Sequence, residues 1–166
     1  MEQTLVILKP DAIQRQITGE IISRFEKVGL RIVGCKMLQP DREHYYHHYE
    51  TISQMISRHS EDVFEYTLNA IQEGPVIAMV WEGVGAISIA RKLVGTTYPD
   101  QSPPGTIRGD YAHISQDYAN QQKRGVHNLV HASGNAEEAK LEISHWFKPD
   151  ELFEYNTAHD HFTQFK

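Results

Sequence analysis

The sequence is poor in cysteine, in positive charge and in long apolar runs. It holds one cysteine, Cys35, so no disulfide can form within the chain, which favours a reducing compartment such as the cytoplasm. The opening stretch MEQTLVILKP carries an acid, and its apolar run is too short for a signal peptide or a membrane helix. We therefore expect a cytoplasmic protein that does not insert into membranes.

The charge balance narrows the class of partner. Sixteen Lys and Arg residues stand against 22 Asp and Glu residues, a net charge of −6. Broad attraction to nucleic acid or to anionic lipid is therefore disfavoured, and no strand alternates basic with aromatic residues as nucleic-acid-binding sheets do. An anionic small molecule could still bind, provided that cations converge locally.

With 166 residues and an apolar share of 40%, the chain fits one globular domain. Apolar runs and helical periodicity alternate along it. They predict strands at 4–8, 31–38, 75–81 and 126–131, and helices at 19–30, 41–50, 60–72, 84–95 and 136–147. Ser60 and Asn135 are the expected N-caps of two of these helices. This order indicates an α/β or α+β sandwich of about four strands, and leaves the strand order open.

The stretch HNLVHASGN contains the first candidate for chemistry. His131 lies just ahead of a helix N-terminus, where backbone N–H groups favour an anion, and Ser133 adds a hydroxyl. Glu142 lies on the following helix and could orient the imidazole, leaving its other nitrogen as a nucleophile. The alternative is a strand-end histidine beside a partly solvated acid, which is the commoner arrangement. Asn128 can face the same ligand only if the strand ends or bends before His131.

Three cations and a hydroxyl elsewhere could converge on an anion. Lys9 follows the first strand and is either a phosphate contact or an exposed lysine. Arg91 lies in the last turn of its helix, where it could instead offset the helix dipole. Arg108 lies in a long turn-rich stretch that either carries function or merely connects elements, and Thr97 follows the end of a helix at Gly95.

A histidine-rich stretch, HYYHHYE at 44–50, raises the question of a metal site. His44, His47 and His48 would fall within one helical turn of one another. No matching cysteine or acid cluster occurs at ligand spacing, so the pattern favours a solvated, aromatic-rich helix over a metal centre.

Several stretches together resemble the nucleoside diphosphate kinase family. The similarity is carried by TLVILKPDAIQR, GEIISRFEKVGLRIVGCKML, GPVIAMVWEGVGA, ARKLVGTTYP, PGTIRGDY and NLVHAS…EEAKLEISHWF, which occur in the family's order. The combination of Lys-Pro-Asp after the first strand, the Pro-Gly-Thr-Ile-Arg-Gly-Asp loop and Asn-x-x-His is specific.

The resemblance implies an α+β fold: a ferredoxin-like βαββαβ sandwich with a four-stranded antiparallel sheet and added helices. Residues 1–149 would form the kinase domain, and residues 150–166 a C-terminal extension packed on it. The activity implied is ping-pong transfer of the γ-phosphate of a nucleoside triphosphate such as ATP to a nucleoside diphosphate, through a phosphohistidine. The partners implied are nucleoside di- and triphosphates and further copies of the chain, in tetramers or hexamers built from dimers.

The resemblance also assigns roles to residues. His131 would be the phosphorylated nucleophile, supported by Glu142 and Ser133, with Tyr49 close by. The remaining matches would bind nucleotide: Lys9, Arg91, Thr97 and Arg108 at the phosphates, and Lys9 and Asn128 at the ribose. Mg²⁺ would be held mainly by the phosphates and water, without a protein metal site. Since these contacts avoid the base, weak selection among bases is expected.

The chain also departs from the family pattern. Common members read His-Gly-Ser-Asp after the nucleophile, whereas this chain reads His-Ala-Ser-Gly, so that Gly134 stands in place of an acid. The link at 111–126 is longer than in shorter members. The stretch 50–70, where the family stacks the base on an aromatic ring, aligns poorly, and Phe64 or Val63 is the nearest candidate.

Two other classes compete with an active kinase. One is a ferredoxin-like binding module that keeps nucleotide affinity without catalysis, and Gly134 is the only residue that favours it. The other is a nucleic-acid-binding domain on a similar fold, which the acidic charge disfavours.

Overall fold

The computed structural model describes residues 1–163. Its four strands are β1 (Glu2–Leu8), β2 (Arg31–Leu38), β3 (Val76–Gly83) and β4 (Val130–Ala132). They form one antiparallel sheet in the order β2-β3-β1-β4. The longer helices are α2 (Thr18–Lys27), α5 (Glu61–Ile71), α6 (Ala86–Val94) and α9 (Ala136–Trp146). The short ones are α1 (Pro10–Gln14), α3 (Arg42–Tyr46), α4 (Met55–Arg58), α7 (Ile107–Tyr111), α8 (Gln116–Gln121) and α10 (Asp160–Thr163). The predicted ferredoxin-like α+β fold is confirmed.

Strand β1 shows why its sequence is an unbroken apolar run. Successive side chains of a strand point to opposite faces of a sheet. Val6 and Leu8 enter the core beneath α2 and α6, whereas Leu5 and Ile7 enter a second core beneath α5 and α9. Because helices cover both faces of the sheet, the central strand has no solvent side, and its carboxyl end leads directly to Lys9.

Two helix N-termini follow the predicted capping. The Ser60 hydroxyl accepts a hydrogen bond from the Val63 amide at 3.2 Å, and the Asn135 side chain accepts one from the Glu138 amide at 2.9 Å. Such caps satisfy amide groups that the first helical turn leaves free. They fix the starts of α5 and α9, the two helices that cover the second core.

The helix predicted at 41–50 is not one regular helix. It is α3, from Arg42 to Tyr46, followed by a π-helical segment, His47–Ile52. The prediction that this stretch is solvated is wrong for three residues, since Tyr45, His48 and Tyr49 are buried against α9 and the sheet. The wider turn of a π-helix often marks a functional site.

The last strand was predicted at 126–131 and instead covers Val130–Ala132. Leu129 has a left-handed backbone, with φ of +70°, so no strand can run through it. Its amide donates to the Asp11 carboxylate at 3.0 Å, and its carbonyl accepts from the Lys9 amide at 2.8 Å. Contacts with residues more than a hundred positions away therefore outweigh the local preference for a strand.

The segment after residue 149 packs along the outer edge of β2. The Phe153 amide donates to the Val33 carbonyl at 2.8 Å, and the Tyr155 hydroxyl donates to the Ile32 carbonyl at 2.6 Å. Asp160 lies 3.6 Å from Arg31. Residues 164–166 of the predicted extension lie outside the described residues, and the division at residue 149 stays a prediction.

Among residues 1–163, no helix has both the length and the apolar character that a membrane crossing requires.

Candidate active site

One cavity of about 490 Å³ lies beside the carboxyl end of β1 and the start of β4. Of the residues predicted to act at a site, it is lined by Lys9, Tyr49, Arg91, Thr97, Arg108, Asn128 and His131. They come from six separate segments of the chain. The fold therefore brings together the cations and polar groups that the sequence leaves apart.

Behind His131 lies a chain of hydrogen bonds that leads into the core. The imidazole Nε2 is 2.9 Å from Glu142 Oε1, and the Ser133 hydroxyl donates to Glu142 Oε2 at 2.6 Å. The Ser133 oxygen in turn accepts from the Leu5 amide of β1 at 3.1 Å. Because Nε2 is engaged, Nδ1 is the nitrogen that remains for a ligand in the cavity.

The Glu142 carboxylate is an oriented, charged acceptor. Its side chain is fully buried, at 0% exposure, while 17% of the His131 side chain is exposed. Burial raises the pKa of the Glu142 carboxyl, but its contacts with His131 and Ser133 outweigh this, so the pKa lies below its ordinary value. A buried acceptor of this kind holds the imidazole in one orientation and fixes the Nε2–H tautomer.

The turn at Leu129 allows Asn128 and His131 to share one cavity. The Val130 amide donates to the Asn128 carbonyl at 2.8 Å, which closes a three-residue turn around Leu129. Side chains three positions apart would point to opposite faces of a regular strand. Asp11, for which the sequence suggested no role, holds this turn through the Leu129 amide.

Lys9 and Arg108 are cations held in a sheltered place. Lys9 Nζ donates to Asn128 Oδ1 at 2.7 Å, and burial, together with the nearby Arg108 charge, lowers the pKa of Lys9 to about 8. Arg108 is only 7% exposed, and burial and the Arg91 charge lower its pKa to about 10. Two like charges in a partly dehydrated site strengthen attraction to an anion.

Arg108 is also a structural clamp. Its Nε donates to the Asn128 carbonyl at 3.1 Å, and Nη1 donates to the Thr96 carbonyl at 2.6 Å. Nη2 donates to the Val130 carbonyl. The guanidinium therefore joins the loop after α6 to both sides of the turn at Leu129.

Arg91 and Thr97 lie at the exposed rim of the cavity. Arg91 is 3.5 Å from the Ala132 carbonyl, a long contact that leaves most of its donors available. The Thr97 carbonyl accepts from Asn128 Nδ2 at 2.8 Å, which fixes the loop that presents the Thr97 side chain. Both side chains can therefore turn toward a ligand that enters from solvent.

Two aromatic rings pack around His131. Tyr49 lines the cavity with its ring centre 6.3 Å from that of His131, and burial raises the pKa of its hydroxyl. His48 packs edge-on against His131 at 4.5 Å, and its Nδ1 accepts from Trp146 Nε1 at 3.1 Å. No local sequence pattern predicts this contact, because the burial of His48 arises from packing beneath α9. Burial holds the pKa of His48 well below its ordinary value, so the ring is neutral.

Phe64 does not face the cavity. It is 2% exposed and packs in the core beneath α5, with its ring against Tyr46. The expectation that Phe64 stacks on a base is therefore wrong for this structure, since helix α5 turns its position toward the sheet. Val63, the alternative, does line the cavity.

Gly134 makes room for an acid from the next helical turn. Its amide donates to Glu138 Oε2 at 3.1 Å, and a Cβ added at Gly134 would lie 2.5 Å from that oxygen. Glu138 Oε1 also pairs with Arg58 at 3.1 Å. Among residues 1–163, Glu138 is the only acid that lines the cavity. An acid thus stands near the position where the family pattern has one, but it comes from residue 138.

The described residues suit a metal that arrives with its ligand rather than a resident one. Within residues 1–163, one group could offer three ligand atoms, namely His48, His131 and Glu142. Both Glu142 oxygens are already engaged and the group is largely nitrogen, whereas Mg²⁺ prefers oxygen ligands. The cations of the cavity would instead meet phosphate oxygens, which can carry Mg²⁺ themselves.

Comparison with known proteins identifies the family. A family profile described as Nucleoside diphosphate kinase matches residues 2–152. The chain belongs to the nucleoside diphosphate kinase family. It is 46% identical to a nucleoside diphosphate kinase of Pyrococcus furiosus over 162 residues, 98% of this chain and 92% of that protein.

Solved structures agree with this family assignment. A transition state mimic of the nucleoside-diphosphate kinase of Borrelia burgdorferi, with bound vanadate and ADP, superposes with a TM-score of 0.94 at 40% identity, covering 98% of this chain and 96% of that one. A halophilic nucleoside diphosphate kinase of Halobacterium salinarum in complex with CDP gives a TM-score of 0.82 at 35% identity, covering 97% of each chain.

Membership in the nucleoside diphosphate kinase family establishes the activity. The chain transfers the γ-phosphate of a nucleoside triphosphate to a nucleoside diphosphate, in two half-reactions joined by a phosphohistidine. Such nucleotide kinases work with a divalent cation. The predicted family and reaction are both confirmed.

Proposed function

We propose that His131 is the residue that carries the phosphoryl group, and that Nδ1 is the atom that attacks. The observation that carries the proposal is the engagement of Nε2 by Glu142 at 2.9 Å, which leaves Nδ1 for the γ-phosphorus. In the first half-reaction the Nδ1–P bond forms and the bond to the leaving diphosphate oxygen breaks. In the second, the terminal oxygen of a nucleoside diphosphate attacks phosphorus and the Nδ1–P bond breaks.

The surrounding residues would support this transfer by charge and position. Phosphoryl transfer depends on positive charge placed around a loose transition state. Arg91, Arg108 and Thr97 would bind the phosphates, and Lys9 and Asn128 would bridge phosphate and ribose, which their mutual contact of 2.7 Å favours. Glu142 would stabilise the positive charge that the imidazole gains on bonding to phosphorus, with Ser133 orienting Glu142 and Tyr49 shielding the nucleophile.

The metal, the assembly and the compartment complete the proposal. Mg²⁺ would be held by phosphate oxygens and water, with Glu138 as the carboxylate that lines the cavity. The chain would act in the cytoplasm as a tetramer or hexamer built from dimers, with the loop at 96–110 near subunit contacts. Sedimentation analysis would distinguish the assemblies.

One labelling experiment tests the nucleophile. The protein is incubated with Mg²⁺ and γ-labelled ATP, and we expect label that is stable to base, labile to acid and removed by a nucleoside diphosphate. His131→Ala should abolish this label. His113→Ala is the matched control, because His113 is exposed and lies outside the cavity. Unlabelled wild type with tight ADP binding would instead support a binding module without catalysis.

A further inference from the structure

The far end of the cavity is walled by two helices. From α5, the side chains of Val63, Tyr66 and Thr67 face it, and from α8, those of Gln116 and Asn120 face it. Residues four positions apart share one face of a helix, so both α8 carboxamides point the same way. Helix α8 belongs to the long link at 111–126 that the sequence marked as a departure from shorter family members.

The link is fixed in place, so these walls are preformed. Arg124 Nη2 lies 3.0 Å from one oxygen of Glu73, and His127 Nε2 lies 2.9 Å from the other. Gly125 packs directly on α5, since a Cβ there would lie 2.5 Å from the Tyr66 carbonyl oxygen. The gap between α5 and α8 is therefore set by backbone contact at its base.

The segment from Gly125 to His131, which turns at Leu129, shows which part of a nucleotide meets these walls. His131 lies at the phosphate end, and Asn128 follows at the proposed ribose position. Gly125 and Val126 come next along the cavity and lie beside the α5–α8 gap. A nucleotide whose terminal phosphate reaches His131 and whose ribose reaches Asn128 thus places its base between the two helices.

The carboxamides are free to bind. In the described part of the chain, neither the Gln116 nor the Asn120 side chain has a hydrogen-bond partner, and Asn120 is exposed. A carboxamide both donates and accepts, so it can pair with the edge of adenine or of guanine. A two-ring purine extends farther from the ribose than a single-ring pyrimidine, so of the two it is the base that would reach these carboxamides.

We propose that Gln116 and Asn120 bind the base edge and make the enzyme select purine over pyrimidine nucleoside diphosphates. This proposal rests on the proposed function for the direction in which the nucleotide lies. It departs from the weak base selection that phosphate and ribose contacts alone would give. Two hydrogen bonds, partly exposed to water, correspond to about tenfold selection.

The test measures the second half-reaction with four acceptors. Isolated phosphoenzyme is mixed with subsaturating ADP, GDP, CDP or UDP, and the loss of label is followed by rapid quench. For the wild type we expect ADP and GDP to react at similar rates, each about tenfold faster than CDP and UDP. In the variant Gln116→Ala/Asn120→Ala the four rates should fall within about twofold of one another.

The matched control is Gln121→Ala/Gln122→Ala, which alters two amides of the same link that do not line the cavity, and it should keep the wild-type ratio. Equal rates for all four acceptors with the wild type, or an unchanged ratio in Gln116→Ala/Asn120→Ala, would overturn the proposal.

A binding measurement separates this proposal from the proposed function. Dissociation constants for ADP and CDP are measured by calorimetry on His131→Ala, in which no transfer can occur. Tighter ADP binding, by about tenfold, supports base selection even if the wild type forms no phosphohistidine. Equal binding of ADP and CDP contradicts it even if phosphohistidine forms normally.

Discussion

Replacing Glu142 by Gln tests the central feature of the site, the buried anion behind His131. The substitution keeps the size of the side chain and removes its charge. The carboxylate accepts from His131 at 2.9 Å and from Ser133 at 2.6 Å, and it is fully buried. A hydrogen bond to a charged group contributes about 1.5–3 kcal/mol, against about 0.5–1.5 kcal/mol for a neutral pair.

The difference, about 1.5 kcal/mol, matters most in the step where the imidazole gains positive charge on bonding to phosphorus. Formation of phosphohistidine should therefore slow about tenfold or more in Glu142→Gln. The loss grows if the amide group of Gln donates to Nε2, because the proton then moves to Nδ1 and blocks attack. Ser133 favours that orientation, because its hydroxyl then still donates to an oxygen at position 142, and it loses this preference only by turning to the Leu5 carbonyl at 3.5 Å.

Single-turnover rapid quench with labelled ATP at saturating concentration measures this step directly. Glu137→Gln is the matched control, since Glu137 is an exposed acid on the same helix that does not line the cavity. A rate for Glu142→Gln within about twofold of wild type would refute the charge argument, and so would an equal loss in Glu137→Gln.

Three further outcomes follow from the same geometry. The pKa of Lys9 is lowered to about 8, so Lys9 is charged below that pH and neutral above it. The affinity for ADP, measured by calorimetry, should therefore fall up to about tenfold between pH 8 and about 9.5, and Lys9→Arg should remove most of this pH dependence. Arg108→Lys should lower the free energy of unfolding by about 2–4 kcal/mol in urea titrations, because an ammonium cannot replace the planar set of bonds to the Thr96, Asn128 and Val130 carbonyls; an unchanged midpoint would contradict the clamp. Gly134→Ala should lower the free energy of unfolding by about 0.5–1 kcal/mol, because the added Cβ displaces Glu138. In a protein that already carries Glu138→Ala, the substitution Gly134→Ala should cause no further loss, which a double-mutant cycle in urea would measure.

The parts of the fold that the sequence predicted are those fixed by local pattern. Strands β1 and β3 read as apolar runs because both of their faces are covered, and α5 and α9 begin at the predicted caps because Ser60 and Asn135 act within their own helical turn. The last strand was misplaced because the φ of Leu129 is set by distant partners, Asp11 and Lys9, which no local pattern shows.

The site residues likewise divide into those that a local pattern predicts and those that it does not. The reach of Glu142 toward His131 follows from helical spacing and could be expected from the sequence. The convergence of Lys9, Arg91 and Arg108 could not, because it depends on strand order, and only the family resemblance suggested it. Phe64 and His48 illustrate the limit, since which side chain of a helix turns inward depends on how that helix docks.

The turn at Leu129 makes the apolar core part of the catalytic apparatus. A leucine in a left-handed conformation stores about 1–3 kcal/mol of strain, and the burial of its side chain contributes about 1.5–3 kcal/mol in return. The spacing between His131, the proposed nucleophile, and Asn128, the proposed ribose contact, is thus maintained by the packing of Leu129 in the core. A mutation among the apolar side chains that pack on Leu129 would slow the reaction without altering a residue that contacts the nucleotide. The substitutions that this enzyme tolerates are therefore limited by its core as much as by its reactive groups.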